Sequence, residues 1–229
     1  MFFSERHKQK LFQVIKRKRK HIEFLINMRR IKTHNINTQE YWDTFATEEY
    51  LLSDLKRGGS ICKFSTIRDI LPLNADILDI GCLNGNLYNF LKSPEFPIKT
   101  FTGVDLSEKL IVLAKTRFPE QTWIQADRLK LPFEDNRFGV VTLLETLEHV
   151  DDPKATIKEA VRVCKTNGVL IVSVPNELRI EDNSHVWSFT PSDLFNLLSE
   201  FSTNVQILQT CSNNRNIIGK AIINFQTYF

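Results

Sequence analysis

Residues 77–87, Ile-Leu-Asp-Ile-Gly-Cys-Leu-Asn-Gly-Asn-Leu, constrain the fold more tightly than any other stretch of the 229-residue chain. A short apolar run ends at Asp79, and two glycines, Gly81 and Gly85, open a segment that can start a helix. The pattern fits a buried strand turning sharply into a helix, with small residues where a ligand must approach the backbone. A second apolar run, Phe101-Thr-Gly-Val104, ends in Asp105. An acid at the end of the second strand of a βαβ unit is placed to accept hydrogen bonds from a ribose diol. Together the two features imply a nucleoside-containing ligand.

The glycine spacing narrows the ligand. A dinucleotide site uses G-x-G-x-x-G. Counted from Gly81, its second and third glycine positions hold Leu83 and Asn86. No Gly-Lys-Ser/Thr occurs either, which excludes the usual phosphate-cradling loop. What remains fits a nucleoside without a pyrophosphate, with Asp79 and the glycine turn facing a zwitterionic amino-acid end. A leucine at position 83 is expected to need an ordinary negative φ and room for its side chain.

Downstream runs repeat the strand-then-acid pattern. Trp123-Ile-Gln-Ala-Asp127 reads as a third strand ending in an acid. Val140–Leu144 reads as a fourth, followed by Glu145-Thr-Leu-Glu-His-Val-Asp-Asp-Pro153. Lys165-Thr-Asn-Gly then leads into a fifth strand. Asp79-x-Gly81-x-Leu83-x-Gly85 resembles motif I of the class I S-adenosylmethionine-dependent methyltransferases, whose usual form is D-x-G-x-G-x-G, with Leu83 replacing the middle glycine. The resemblance covers about residues 60–225. It implies S-adenosylmethionine as cofactor, S-adenosylhomocysteine as product, and methyl transfer as the reaction. It also assigns Asp79, Gly81 and Gly85 to the methionine end, Asp105 to the ribose and Asp127 to the adenine, and implies that Cys82, Leu106 and Arg128 bind the cofactor as well. Glu145, after strand four, is implied to be cofactor-binding too.

Alternation of strands and helices predicts a doubly wound α/β fold, a Rossmann-like parallel sheet with helices on both faces. Strands are expected at 76–80, 100–105, 121–126, 139–144, 168–174, 204–210 and 217–225, seven in all. The last two lack an intervening helix and read as an antiparallel C-terminal hairpin through Ser212–Asn216. Helices are expected at 85–92, 107–117, 153–165 and 191–200. Ser107 is expected to cap the second of these, and Thr190-Pro191 to open the fourth. Ligands of such sheets bind outside the carboxyl ends of the strands, the edge that carries Asp79, Asp105, Asp127 and Glu145.

The chain divides into an N-terminal helical extension and lid, residues 1–59, and a methyltransferase domain, residues 60–229. Residues 1–40 hold eleven Lys/Arg against three Asp/Glu, whereas the whole chain carries a net charge of only +3. Residues 5–32 contain no glycine or proline, and their apolar residues recur at 3–4 spacing around Lys16-Arg-Lys-Arg-Lys20, as in a basic amphipathic helix. Three partners fit it: the catalytic body or a second subunit of a homodimer, an RNA, or an anionic membrane surface. A second helix is expected from Thr38, its Tyr41 and Trp42 either covering the cofactor or packing on the sheet, and Gly58-Gly59 are expected to separate it from a helix at about 60–71. Four dispersed cysteines with no CxxC pair read as free thiols, and no apolar run reaches 18 residues. These features read as a cytoplasmic protein without signal peptide.

Methyl transfer from a sulfonium needs the protein chiefly to orient the acceptor and remove its proton. His149, after strand four, and His185, after strand five, are the candidate catalytic bases, because a neutral imidazole suits a hydroxyl near pH 7. Glu145, Glu148, His149 and His185 also resemble the metal-ligand set of small-RNA 2′-O-methyltransferases and of some ubiquinone-pathway O-methyltransferases. That likeness implies a divalent ion that acidifies a hydroxyl. The Asn/Asp-Pro-Pro-Tyr/Phe loop of amide and adenine N-methylation is absent after strand four, where Leu144-Glu-Thr-Leu stands. The expected acceptor is therefore a hydroxyl of a small molecule, a quinone precursor or a glycan, with an RNA acceptor and a non-catalytic scaffold as the alternatives.

Overall fold

The computed structural model describes residues 29–32, 34–47, 58–176, 183–209 and 216–224. Alternating apolar runs fold into strands β2 (Asp76–Ile80), β3 (Thr100–Asp105), β4 (Thr122–Gln125), β5 (Phe138–Leu144), β6 (Cys164–Pro175), β8 (Asn204–Gln209) and β9 (Asn216–Ile222). The short pair β1 (Arg29–Arg30) and β7 (Trp187–Ser188) forms a separate antiparallel ribbon. The seven strands lie in the order β4-β3-β2-β5-β6-β9-β8. The first five run parallel, and β9 inserts antiparallel between β6 and β8. The expected seven strands and C-terminal hairpin are thus present.

Both faces of the sheet are covered. Along β2, Ile77 packs on one face and Leu78 on the other, the period-two signature of a strand buried on both sides. Ile77 joins Phe101, Val140 and Ile171 beneath helices α2 (Gly58–Ile70), α3 (Asn86–Leu91) and α4 (Glu108–Arg117). Leu78 joins Val141 and Leu143 beneath α5 (Pro153–Val163) and α6 (Pro191–Ser199). The remaining helix, α1 (Gln39–Asp43), precedes this body. Caps sit where the sequence places them. Leu110 N donates to Ser107 Oγ at 3.2 Å, and Thr190 forms a reciprocal capping box with Asp193 ahead of Pro191. Thr38 caps α1 by accepting from Tyr41 N.

Several expectations need correction. The helix expected over residues 5–32 does not reach its C-terminal end: Arg29 and Arg30 pair with Ser188 and Trp187 as a strand, while residues 1–28, with the basic run 16–20, lie outside the described residues. Gly58 and Gly59 do not separate two helices. They form the first turn of α2. Helix α5 ends at Val163, and β6 starts at Cys164. Cys62 is disulfide-bonded, against the expectation of four free thiols; Cys82 and Cys164 are free. Linear spacing cannot say which cysteines meet in space. No helix among the described residues is long and apolar enough to cross a membrane.

Candidate active site

The glycine turn follows β2 at the carboxyl edge of the sheet. Gly81 has φ +79° and Gly85 φ +84°, both in the left-handed region. A Cβ at Gly81 would lie 2.5 Å from Thr146 Oγ1, so the residue type is fixed by conformation and by space together. Leu83, expected at an ordinary φ, instead has φ +50°. The turn keeps the left-handed conformation of a glycine loop and carries leucine strain of about 1–2 kcal/mol. Three hydrogen bonds hold it there: Gly81 N and Cys82 N donate to Val104 O, and Leu83 N donates to Asp105 Oδ2 at 2.9 Å. Cys82 is buried beneath Gly103, its thiol pushed well up by burial and by Asp105 and Asp79, and it packs the turn.

Two acids line the floor. Asp79 is 3% exposed and accepts from Thr142 Oγ1 at 2.6 Å. Burial raises its pKa to about 7; Asp105 pushes further in that direction, while Thr142 and the Lys63 charge oppose it. Asp105 is 7% exposed, and its carboxyl bridges two backbone amides, Leu83 N and Ser107 N, both at 2.9 Å. Burial raises its pKa too, against those hydrogen bonds and the Arg128 charge. Asp127 is exposed after β4 and accepts from Leu129 N. Arg128 sits among the charges of Asp127, Asp151 and Asp105, and Leu106 is half-buried beside Asp105.

The second pole lies after β5 and β6. Glu148 and His149 sit on a one-turn 3₁₀ helix, Leu147–His149, and His185 follows β6. Donor atoms of Glu148, His149 and His185 all lie within 4.8 Å of one another, and the two imidazole centroids are 5.0 Å apart. Ser184 O lies 3.1 Å from His149 Nδ1, an arrangement that favours a proton on Nδ1 and turns Nε2 toward Glu148, 3.8 Å away.

Glu145 is not brought into this cluster. It too stands at positive φ, +51°. Its Oε1 accepts from Ser173 Oγ at 2.6 Å, its Oε2 accepts from Asn216 Nδ2 at 2.7 Å, and Lys63 Nζ stands 3.9 Å off. The expected four-residue set is therefore three residues, because the left-handed turn after β5 points Glu145 toward β6 and β9.

The two poles share a cover. A strap from Arg29 to Asn37 crosses the loop bearing His185. Ile31 N donates to Val186 O, Asn35 Nδ2 to His149 O, and Asn37 Nδ2 to Ser184 O. It leads into α1, whose Trp42 ring meets the His149 ring edge-on at 5.0 Å.

Sequence reasoning missed Lys63, Thr142, Ser173, Asn216 and Asp43. Lys63 left one trace: a cation between Cys62 and Phe64, both buried on α2, its own side chain only 12% exposed. The others are ordinary polar residues whose neighbours appear only on folding.

Residues 78–172, from β2 into β6, match the family model of the methyltransferase domain. The ubiquinone biosynthesis O-methyltransferase of Coxiella burnetii is 36% identical over 104 residues, which cover 44% of this chain and 43% of that protein. The chain thus spans less than half the length of that curated relative. A methyltransferase of Thermotoga maritima superposes with a TM-score of 0.66 over 82% of this chain and all of that one, at 18% identity. One of Aquifex aeolicus superposes with a TM-score of 0.61 over 81% of this chain and 98% of that one, at 13% identity. The strand order is the fold shared with these solved methyltransferases, and residues 78–172, which carry the glycine turn and its two acids, are similar to the methyltransferase domain.

Proposed function

We propose that this protein is a methyltransferase that carries a methyl group from S-adenosylmethionine to a hydroxyl of a small molecule. One observation carries the reading: the sheet edge joins a glycine turn floored by Asp79 and Asp105 to a pole holding two buried or half-buried imidazoles. The donor set fits the cofactor. Asp79 suits the ammonium of the methionine end, Lys63 its carboxylate, and Asp105 the ribose hydroxyls. When bound, S-adenosylmethionine supplies an electrophilic methyl on a sulfonium sulfur. The chain's part is to align the acceptor oxygen with it, exclude water beneath α1, and take the hydroxyl proton. His149, turned by Ser184 O, and His185 are the groups for that proton. The partial likeness to ubiquinone biosynthesis O-methyltransferases supports a phenolic hydroxyl among small acceptors.

A second reading adds a divalent cation to the same chemistry. Glu148, His149 and His185 offer one carboxylate and two imidazoles within 4.8 Å, a set suited to a borderline divalent ion that would acidify the acceptor hydroxyl.

Radiolabelled methyl transfer to a panel of phenols, catechols and sugars tests both. The proposal expects transfer to at least one hydroxyl acceptor, with His185→Ala lowering kcat by about 100-fold or more. Full activity after exhaustive chelation and in Glu148→Ala removes the cation. Full activity in both His149→Ala and His185→Ala removes the imidazoles as bases.

A further inference from the structure

Helix α1 is only five residues long, yet its neighbouring residues Trp42 and Asp43 reach opposite poles of the site. Trp42 meets His149 at the acceptor pole. Asp43 Oδ1 accepts from Ser107 Oγ and, at 3.4 Å, from Lys109 N at the start of α4. The Ser107 hydroxyl accepts from Leu110 N as the α4 cap while donating to Asp43. The Ser107 amide donates to Asp105, whose other oxygen holds Leu83 in the glycine turn. A continuous chain of hydrogen bonds thus runs from α1 through Ser107 and Asp105 to the turn. Before α1, the strap is stapled to the acceptor loops by Asn35 and Asn37. The carboxylate of Asp43 also faces the positive end of the α4 dipole, which strengthens that anchor.

We propose that α1 is a two-ended latch. Asp43 fastens it to the nucleoside pole and Trp42 to the acceptor pole, so the cofactor product leaves only when both ends let go. The latch therefore sets product release and ties it to the state of the acceptor pole. This rests on the reading of the Asp79–Asp105 edge as the cofactor site. Asp43 and Trp42 are positioning residues in it, since both act through Ser107 and His149.

The test is stopped-flow release of S-adenosylhomocysteine from the full-length protein, beside hydrogen exchange with and without that ligand. Asp43→Asn, which keeps the shape and removes the charge, is expected to speed release about tenfold, the usual effect of losing a charge-assisted hydrogen bond. Trp42→Ala is expected to speed it as well. In the wild type, exchange across residues 38–47 is expected to slow when the ligand saturates, a readout that needs no variant to fold. Unchanged release in Asp43→Asn overturns the latch, and so does exchange in 38–47 that ignores the ligand. Faster release in Asp43→Asn with none in Trp42→Ala overturns its coupling to the acceptor pole. A wild-type protein that binds no S-adenosylhomocysteine overturns the cofactor reading itself, separately from the latch.

Discussion

Asp79 and Asp105 sit one strand apart and are both buried, yet their partners differ. Asp105 accepts from two backbone amides, so removing it loosens the turn as well as the proposed ribose contact. A charge-assisted, buried contact of this kind is worth about 1.5–3 kcal/mol. Asp105→Ala should therefore weaken S-adenosylhomocysteine binding roughly 10–150-fold in a calorimetric titration; unchanged affinity would remove the assignment. Asp79 titrates near neutrality because burial disfavours its charge. An acid whose folded pKa is raised to about 7 stabilises the fold fully below its unfolded value and loses that contribution as pH rises through about 7. Ligand-free protein should accordingly lose stability between about pH 4 and 7, and Asp79→Asn should flatten that slope in thermal melts. Cofactor affinity should move the other way, rising about tenfold from pH 6 to 8 as the carboxylate that receives the ammonium ionises. A pH-independent affinity would place the ammonium elsewhere. Both acids were legible in the sequence, because each ends an apolar run. Lys63, Thr142 and Asn216 were not, because nothing in linear spacing shows that α2, β5 and β9 converge on Asp79 and Glu145. Leu83 was misread for a different reason. Its intrinsic preference opposes a positive φ, but hydrogen bonds from the turn to Val104 and Asp105 override it.

Among the elements, β3 and β4 set how closely the glycine turn approaches the sheet. A Cβ at Gly103 would lie 2.3 Å from Trp123 Cζ3 and 2.8 Å from Cys82 Sγ. The missing side chain lets the indole and the turn share one layer, beneath the aromatic stack of Tyr88, Phe101 and Phe118. Gly103→Ala should destabilise by about 1–3 kcal/mol through overpacking, read as a lowered urea midpoint, and Trp123→Phe should restore part of the loss. Additive effects of the two substitutions would mean that the indole is not the obstacle. Three helix starts were well legible, since Thr38, Ser107 and Thr190 cap locally and need no tertiary partner. The far end of the N-terminal segment was not. Arg29 and Arg30 follow a helical pattern in sequence, but pairing with Trp187 and Ser188 draws them into a ribbon. A cation–π contact at 5.8 Å between Arg30 and Trp187 accompanies that pairing.

At the scale of the molecule, the site is assembled from chain segments far apart in sequence. In the proposed site the strap and α1 supply the cover, the glycine turn and β3 the nucleoside pole, and the segments after β5 and β6 the acceptor pole. Asn216 closes the set from the final hairpin. The fold class was legible because strand and helix periods alternate so regularly that one sheet topology accommodates them. The acceptor was not legible, because the strap and residues 183–186 beside the two imidazoles are placed by tertiary hydrogen bonds and not by a motif. The excess of positive charge in residues 1–40 sets that segment apart from the acid-lined sheet edge it precedes. The account stands on that edge being a cofactor site. Calorimetric titration of the full-length protein with S-adenosylmethionine and S-adenosylhomocysteine measures this directly. Binding of both with micromolar affinity, lost in Asp105→Ala, is the expected result. A folded protein that binds neither would contradict it.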